Sequence, residues 1–374
     1  MERSFVVTPW EVRGTIDYTR LVEEFGLERL DEKMISSLPD PPFIFRRRVV
    51  MAHRDGWVIV ERIRTKLPFA ILTGFTVSHP KPHLGNRLIA DMLSYFQRQG
   101  GRLYLCIADI ESLTVRGVPL DEGRRRALEE FLPALYALGV DIESAFVYFQ
   151  SAMPILYRLA ARIASIVSSS ELHDIYGDVT PGQMFASFIQ VADILLPQLL
   201  EGPIPTVVPV AVDQDTHIRF TRDVAKRLNA RRFTLPSAFY TELTPGLTGT
   251  SKMSKSIPSS LIELGEADTV LRQKIQQAFT GGRATAEEHR RYGGNPSICT
   301  VFALMRHHFI TDDTLLNKIY HECINGERLC GECKQQLIEV AIEWMRDLQK
   351  KIVVGRKVVH KLLEEEKIVI TREP

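Results

Sequence analysis

Lys252-Met253-Ser254-Lys255-Ser256 sets two ammonium groups three residues apart among small hydroxyl side chains. Gly246 and Gly249 precede the stretch and Pro258 follows it, so it reads as a polar loop. Lysine is a compact point charge with rotatable donors, which suits a polyphosphate. Aimed at a departing pyrophosphate, Lys252 and Lys255 would stabilise charge that develops in a transition state. Ser254 joins them as a catalytic candidate, and Met253 and Ser256 join as nucleotide-binding candidates. The plain alternative is a solvated surface loop that carries lysines.

A second group, His83-Leu84-Gly85-Asn86, follows a polar, proline-containing loop and opens a helical pattern. A helix N-terminus offers backbone N–H groups and a favourable dipole to phosphate. His83 can donate to a phosphate oxygen, Asn86 can donate without carrying charge, and Gly85 lets a flat base approach the backbone. Read plainly, His83 is a cap or packing residue. A third group, Asp213-Gln214-Asp215, ends the apolar run Thr206–Val212. Asp213 has the chemistry to accept from ribose hydroxyls. Gln214 offers donors and an acceptor to an amino acid's ammonium and carboxylate, and Asp215 reads as a helix N-cap.

The elements that must position these groups alternate. Pro68–Phe75, Leu103–Asp109, Phe146–Gln150 and Thr206–Val212 are near-continuous apolar runs, as strands buried on both faces should be. Leu84–Gln99, Asp121–Leu138, Met153–Ser168, Gly182–Leu200 and Thr216–Leu228 read as helices between and after them. Such alternation predicts an α/β fold with a parallel sheet whose ligand sits at the carboxyl ends of the strands. From Asp268 onward the pattern is helical only, ending in Gln335–Glu366. The expected organisation is an N-terminal appendage over 1–65, a Rossmann-type parallel-sheet catalytic domain over 66–267 and an all-helical domain over 268–374.

A length of 374 residues suits two packed units plus appendages. Apolar residues at 45% and charged ones at 25% are an ordinary globular balance. A net charge of only +1 means that any nucleic-acid contact must come from local patches. Five cysteines and an N-terminus unlike a leader argue for a reducing, cytoplasmic setting. No apolar run is read as a membrane span. Arg46–Arg48, Arg124–Arg126 and Arg290-Arg291 are read as solvated faces, and Trp10, Trp57 and Trp344 as packing residues. His321-x-Cys323-x6-Cys330-x2-Cys333 has the ligand types of a zinc site but irregular spacing, so its cysteines are read as thiols or a disulfide and no metal site is assigned.

The lysine loop resembles the KMSKS signature of class I aminoacyl-tRNA synthetases, and His83–Asn86 resembles their HIGH signature with Asn86 in the last place. Four longer segments are similar to archaeal and eukaryotic tryptophanyl-tRNA synthetases: Thr8–Val12, Gly14–Gly26, Val208–Leu228 and Phe279–Asn295. The resemblance implies a Rossmann-type catalytic domain, a helical anticodon-binding domain and a homodimer. It implies tryptophan activation by ATP with Mg²⁺, then transfer to tryptophan tRNA. It matches Glu111 to a glutamate that holds the substrate ammonium, and Gln190 and Gln214 to glutamines of the amino-acid pocket. It places Leu72 and Cys106 where eukaryotic relatives carry the tyrosine and glutamine that read the indole N–H. Two rivals stand beside this reading: the sister enzyme for tyrosine, and a catalytically silent RNA-binding paralogue.

Overall fold

The computed structural model describes residues 5–8, 12–14, 16–229, 233–249, 252–253 and 257–371. Ten strands follow one another along it: β1 Phe5–Val7, β2 Val12–Gly14, β3 Glu28–Arg29, β4 Val50–Arg54, β5 Ala70–Phe75, β6 Arg102–Ile107, β7 Phe146–Phe149, β8 Thr206–Ala211, β9 Ser237–Thr241 and β10 Ile368–Val369. β1 and β2 form a small hairpin. The other eight make one sheet in the order β10-β7-β6-β5-β8-β9-β4-β3. Neighbours from β10 to β9 are parallel, β4 is antiparallel to β9, and β3 is antiparallel to β4.

The four apolar runs became β5 to β8, the parallel centre. Leu103–Asp109 is shorter than expected: the strand stops at Ile107, and Asp109 opens the helix Asp109–Arg116. The connections change direction between β5 and β8. The chain moves outward through β6 and β7 on one side and through β9 on the other, which leaves a crevice at the carboxyl ends. Only Ala70 and Ile71 of β5 pair with β8. Pro209 interrupts β8 and has no N–H to give the ladder. Thr73 Oγ1 donates to the Pro209 carbonyl at 3.1 Å instead. The two strands therefore part toward the cleft.

Helices cover both faces. Pro154–Ala164, Pro181–Glu201 and Asp215–Asn229 pack on one; Gly56–Thr65, Leu84–Arg98 and Leu132–Ala137 pack on the other. Leu84–Arg98 buries Leu84, Leu88, Leu93 and Phe96 at helical spacing. Each such side chain contributes about 1.5–3 kcal/mol of burial. Pro181–Glu201 is, among the described residues, the one helix long and apolar enough to cross a membrane; the apolar run exceeds the sequence expectation, and most of the helix is buried in the core.

The expected boundaries at 65/66 and 267/268 do not coincide with breaks in packing. β3 and β4, from the supposed appendage, complete the main sheet. The 35-residue helix Cys330–Glu364 starts in the helical region and ends on the catalytic core, where Val359 and Leu362 are buried. The chain then adds β10 beside β7. Strands of two residues carry too little pattern to be read from sequence.

Candidate active site

A cleft of about 480 Å³ opens at the carboxyl ends of β5 and β8, within the roughly 300–1,000 Å³ common for small-molecule sites. It gathers His83, Gly85, Asn86, Glu111, Gln190, Asp213, Gln214, Lys252 and Met253, which come from five separate stretches of chain. Leu72 also lines it, whereas Cys106 does not. Ser254, Lys255 and Ser256 lie outside the described residues.

His83 is the N-cap of Leu84–Arg98. Its Nδ1 accepts from the Gly85 N–H at 3.1 Å, and Asn86 Oδ1 accepts from the His83 N–H at 2.9 Å, a reciprocal capping box. With Nδ1 accepting, a neutral ring carries its proton on Nε2. The Leu84 N–H is taken by the Ile262 carbonyl and the Asn86 N–H by the His83 carbonyl. The expectation of bare backbone N–H groups for phosphate is thus corrected: the first three are already bonded, and the cleft meets the His83 ring. Gly85 also has a different reason for being glycine. A Cβ there would lie 2.8 Å from His83 Cε1, so the bare position seats the imidazole.

At the end of β8 a short turn, Val212–Gln214, carries Asp213 into the cleft. Lys252 Nζ donates to Asp213 Oδ2 at 3.0 Å. Asp215 is the first residue of the helix Asp215–Asn229, with helical dihedrals, and not its N-cap as expected. It is fully buried, takes both Oδ atoms to the Arg54 guanidinium at 3.0 and 3.1 Å, receives the Tyr240 hydroxyl at 2.6 Å and pairs with Arg219 at 3.0 Å. A buried carboxylate needs such partners to stay charged. Arg54 lies on β4 and Tyr240 on β9, so the strands missed in the sequence hold the turn that presents Asp213.

Met253 is 5% exposed and belongs to the apolar cluster of the helical region with Leu247, Leu261 and Ile275. Its side chain packs into this cluster at the edge of the cleft that it also lines. Its N–H donates to the Thr244 carbonyl at 2.9 Å. The Thr244 hydroxyl in turn meets His308 Nε2 at 3.1 Å. Beside it, Glu242 accepts from Arg306 and His307 at 2.6 and 3.0 Å. Burial works to raise the Glu242 pKa, but hydrogen bonding to His307 and the Arg306 charge outweigh it and bring it down to about 2. Burial keeps His307 and His308 below the ordinary imidazole value. These residues were missed in the sequence; the signal was the Arg306-His307-His308 run inside an apolar segment.

Deeper, Asp193 sits one turn after Gln190 on Pro181–Glu201 and is 2% exposed. Tyr148 Oη donates to its Oδ1 at 2.9 Å and Gln150 Nε2 to its Oδ2 at 2.5 Å. Burial, with the nearby Asp193 charge, pushes the Cys106 thiol well above its ordinary value. Burial drives Asp193 up to about 7 against the lowering effect of those donors. Gln150 Oε1 accepts from the Glu111 N–H at 3.2 Å, tying this network to the cleft wall.

The arginine runs are struts in part. Arg46 and Arg47 both pair with Asp313, and Arg47 is buried. Arg125 and Arg126 pair with Glu122. Trp344 packs under the Arg87 guanidinium at 4.2 Å, and Trp10 lies outside the described residues.

The family described as tRNA synthetases class I (W and Y) matches residues 64–346. A tryptophan–tRNA ligase of Methanocaldococcus jannaschii is 38% identical, covering 96% of this chain and 98% of its own. One from Aeropyrum pernix is 39% identical over 95% and 97%. The crystal structure of tryptophanyl-tRNA synthetase from Aeropyrum pernix superposes with a TM-score of 0.88 at 37% identity, covering 95% of this chain and 97% of that one. A tryptophan-bound tryptophanyl-tRNA synthetase from Encephalitozoon cuniculi reaches 0.80 at 26% identity over 92% and 97%. The chain belongs to the tryptophanyl-tRNA synthetase family of class I tRNA synthetases.

Proposed function

We propose that the protein is a tryptophan–tRNA ligase working from this cleft. The observation that supports it most is the convergence of His83, Asp213 and Lys252 at the carboxyl ends of β5 and β8. In the first step the tryptophan carboxylate attacks the ATP α-phosphorus, and the bond to the β-phosphate breaks. Catalysis is then positioning and charge stabilisation. Lys252 and Lys255, with Ser254, hold the leaving pyrophosphate. His83 and Asn86 hold phosphate oxygens, Gly85 and Ser256 line the nucleotide's place, and Asp213 holds the ribose. Glu111 takes the amino acid's ammonium, and Gln190 and Gln214 its polar groups. In the second step a ribose hydroxyl of tryptophan tRNA attacks the carbonyl of the mixed anhydride and AMP leaves.

Among the described residues no three acidic, histidine or cysteine side chains form a cage for one ion. Mg²⁺ is accordingly read as arriving on the ATP phosphates, and no step is assigned to it. The helical region serves tRNA, the enzyme acts as a homodimer, and its setting is the cytoplasm. The indole N–H needs an acceptor in place of the tyrosine–glutamine pair. That part is assigned to Asp193, a buried carboxylate behind the cleft wall, whose lone pairs exceed those used by the Tyr148 and Gln150 donors.

Amino-acid-dependent ATP–pyrophosphate exchange with all twenty amino acids tests the assignment. Tryptophan should support exchange by on the order of 10³ over tyrosine and phenylalanine, because a site built to read a polar group rejects analogues lacking it. Tyrosine within about tenfold of tryptophan would transfer the assignment to the sister enzyme.

A further inference from the structure

Among the described residues, two side chains with a permanent positive charge line the cleft, Lys252 and Arg116. Lys252 is paired with Asp213 at 3.0 Å. Arg116 is exposed at the rim and, among the described residues, has neither an ion pair nor a hydrogen bond. Other arginines nearby are committed. Arg54 is paired with Asp215, Arg306 with Glu242, and Arg126 with Glu122 and the Val77 carbonyl.

Arg116 ends the helix Asp109–Arg116, which also brings Glu111 and Ser112 to the cleft. That helix is clamped. The Ser112 hydroxyl donates to the Ala108 carbonyl at 2.7 Å and accepts from the Val77 N–H at 3.0 Å. On another side a Cβ on Gly182 would run into the Thr114 carbonyl, so the helix Pro181–Glu201 begins hard against it. The guanidinium therefore leaves a fixed base. A basic residue in a last turn often answers the helix carbonyls. Here the Gly117 N–H already serves the Leu113 and Ser112 carbonyls, and the Val118 N–H serves that of Ser112 as well. Capping thus gives Arg116 no occupation. Beyond it the surface is open: a Cβ on Gly117 would meet nothing within 4 Å.

We propose that Arg116 binds the phosphodiester that leads into the terminal adenosine of the tRNA during transfer. This rests on the cleft being the site of a tryptophan–tRNA ligase. With Glu111 on the ammonium, and His83 and Lys252 on the ATP phosphates, the activated carbonyl lies between two walls. The terminal ribose must reach that carbonyl, and its neighbouring phosphate must follow it over the rim. Arg116 stands five residues beyond Glu111, about 7.5 Å along the helix axis, and so on the amino-acid wall. Its planar fork matches a phosphate bidentately. An exposed, unpaired guanidinium suits a partner that arrives only for the second step. The ATP phosphates, held at the opposite wall, are the rival anion.

The test compares Arg116→Ala and Arg116→Lys with the unaltered full chain, in tryptophan-dependent pyrophosphate exchange and in charging of a tryptophan tRNA transcript over a range of salt. Arg116→Ala should lower kcat/KM for the tRNA about 10-fold more than it lowers exchange. The slope of log kcat/KM against log salt should become shallower by about 0.7, the share of one single-strand phosphate. Arg116→Lys should recover the slope and part of the rate, which a merely structural role would not do. Equal losses in exchange and charging would give Arg116 to ATP and overturn the proposal. An unchanged slope, or no loss in either assay, would leave it a solvated residue and overturn the proposal too. Failure of the underlying reading, which would take this inference with it, shows separately as an unaltered chain that supports no tryptophan exchange.

Discussion

Lys252 Nζ and Asp213 Oδ2 lie 3.0 Å apart, which docks the lysine loop on the carboxylate at the end of β8. The first prediction follows from this pair. Lys252→Ala should slow adenylate formation by about 10²–10³-fold, the usual cost of removing one preorganised charge, with tryptophan affinity little changed. Asp213→Asn should chiefly raise the KM for ATP. Stopped-flow and exchange kinetics separate the two; an unchanged rate in Lys252→Ala means that this lysine does not touch the leaving group.

The path His308–Thr244–Met253 leads from the helical region to that loop. His308→Ala removes the bond to the Thr244 hydroxyl, whose carbonyl holds the Met253 N–H. A drop of about 10-fold in kcat for exchange is expected, on the scale of one net hydrogen bond of about 1 kcal/mol and the loop order it supports, with the KM for tryptophan unchanged. His308→Gln, which keeps a donor, should recover part of the loss. Equal effects in both variants would reduce His308 to packing.

Asp215 should matter more to stability than to chemistry. Asp215→Ala leaves the half-buried Arg54 and the buried Tyr240 hydroxyl without their carboxylate. A loss of about 3–5 kcal/mol is expected from breaking a buried pair on one side, read as a lowered urea midpoint. A change within about 0.5 kcal/mol, the range of ordinary surface substitutions, would show that the hub is dispensable.

Asp193 gives a pH signature. Its carboxyl ordinarily titrates near 3.8 and is raised to about 7 in the fold, by burial first. The folded state thus holds the proton longer than the unfolded chain. Stability from this group is fully present below 3.8 and is lost as pH rises through about 7. The Tm difference between the protein and Asp193→Asn should shrink or reverse across that interval. Asp193→Asn should also raise the KM for tryptophan by about tenfold or more, the scale of 1–3 kcal/mol for an unmatched buried polar group. A flat Tm difference with unchanged KM would remove Asp193 from the indole.

The centre of this protein was readable because β5 to β8 are buried on both faces and so are apolar throughout. The motifs were readable because they sit at the ends of those strands. What escaped reading depends on partners distant in sequence. β4, with the sequence Val-Met-Ala-His-Arg, looks like no strand until β9 lies beside it. Arg54 and Asp215 are a pair only in the fold. The helix Asp109–Arg116 was hidden because its first turn continues the apolar run of β6. The helical region was legible as helices but not as part of the catalytic body, since Val359, Leu362 and two residues of β10 make that connection.

β10 has a consequence for the order in which the molecule is made. On the ribosome β7 emerges long before Ile368, its neighbour's first residue. Until then β7 is an open edge of a parallel sheet, a template for pairing with another chain. The long helix delivers the missing strand last, so it acts as a latch as well as a support. A chain cut just before Ile368 would keep every cleft residue named above. It should nevertheless aggregate during synthesis, and adding a chaperone that holds unfolded chains should raise its soluble yield more than that of the intact protein.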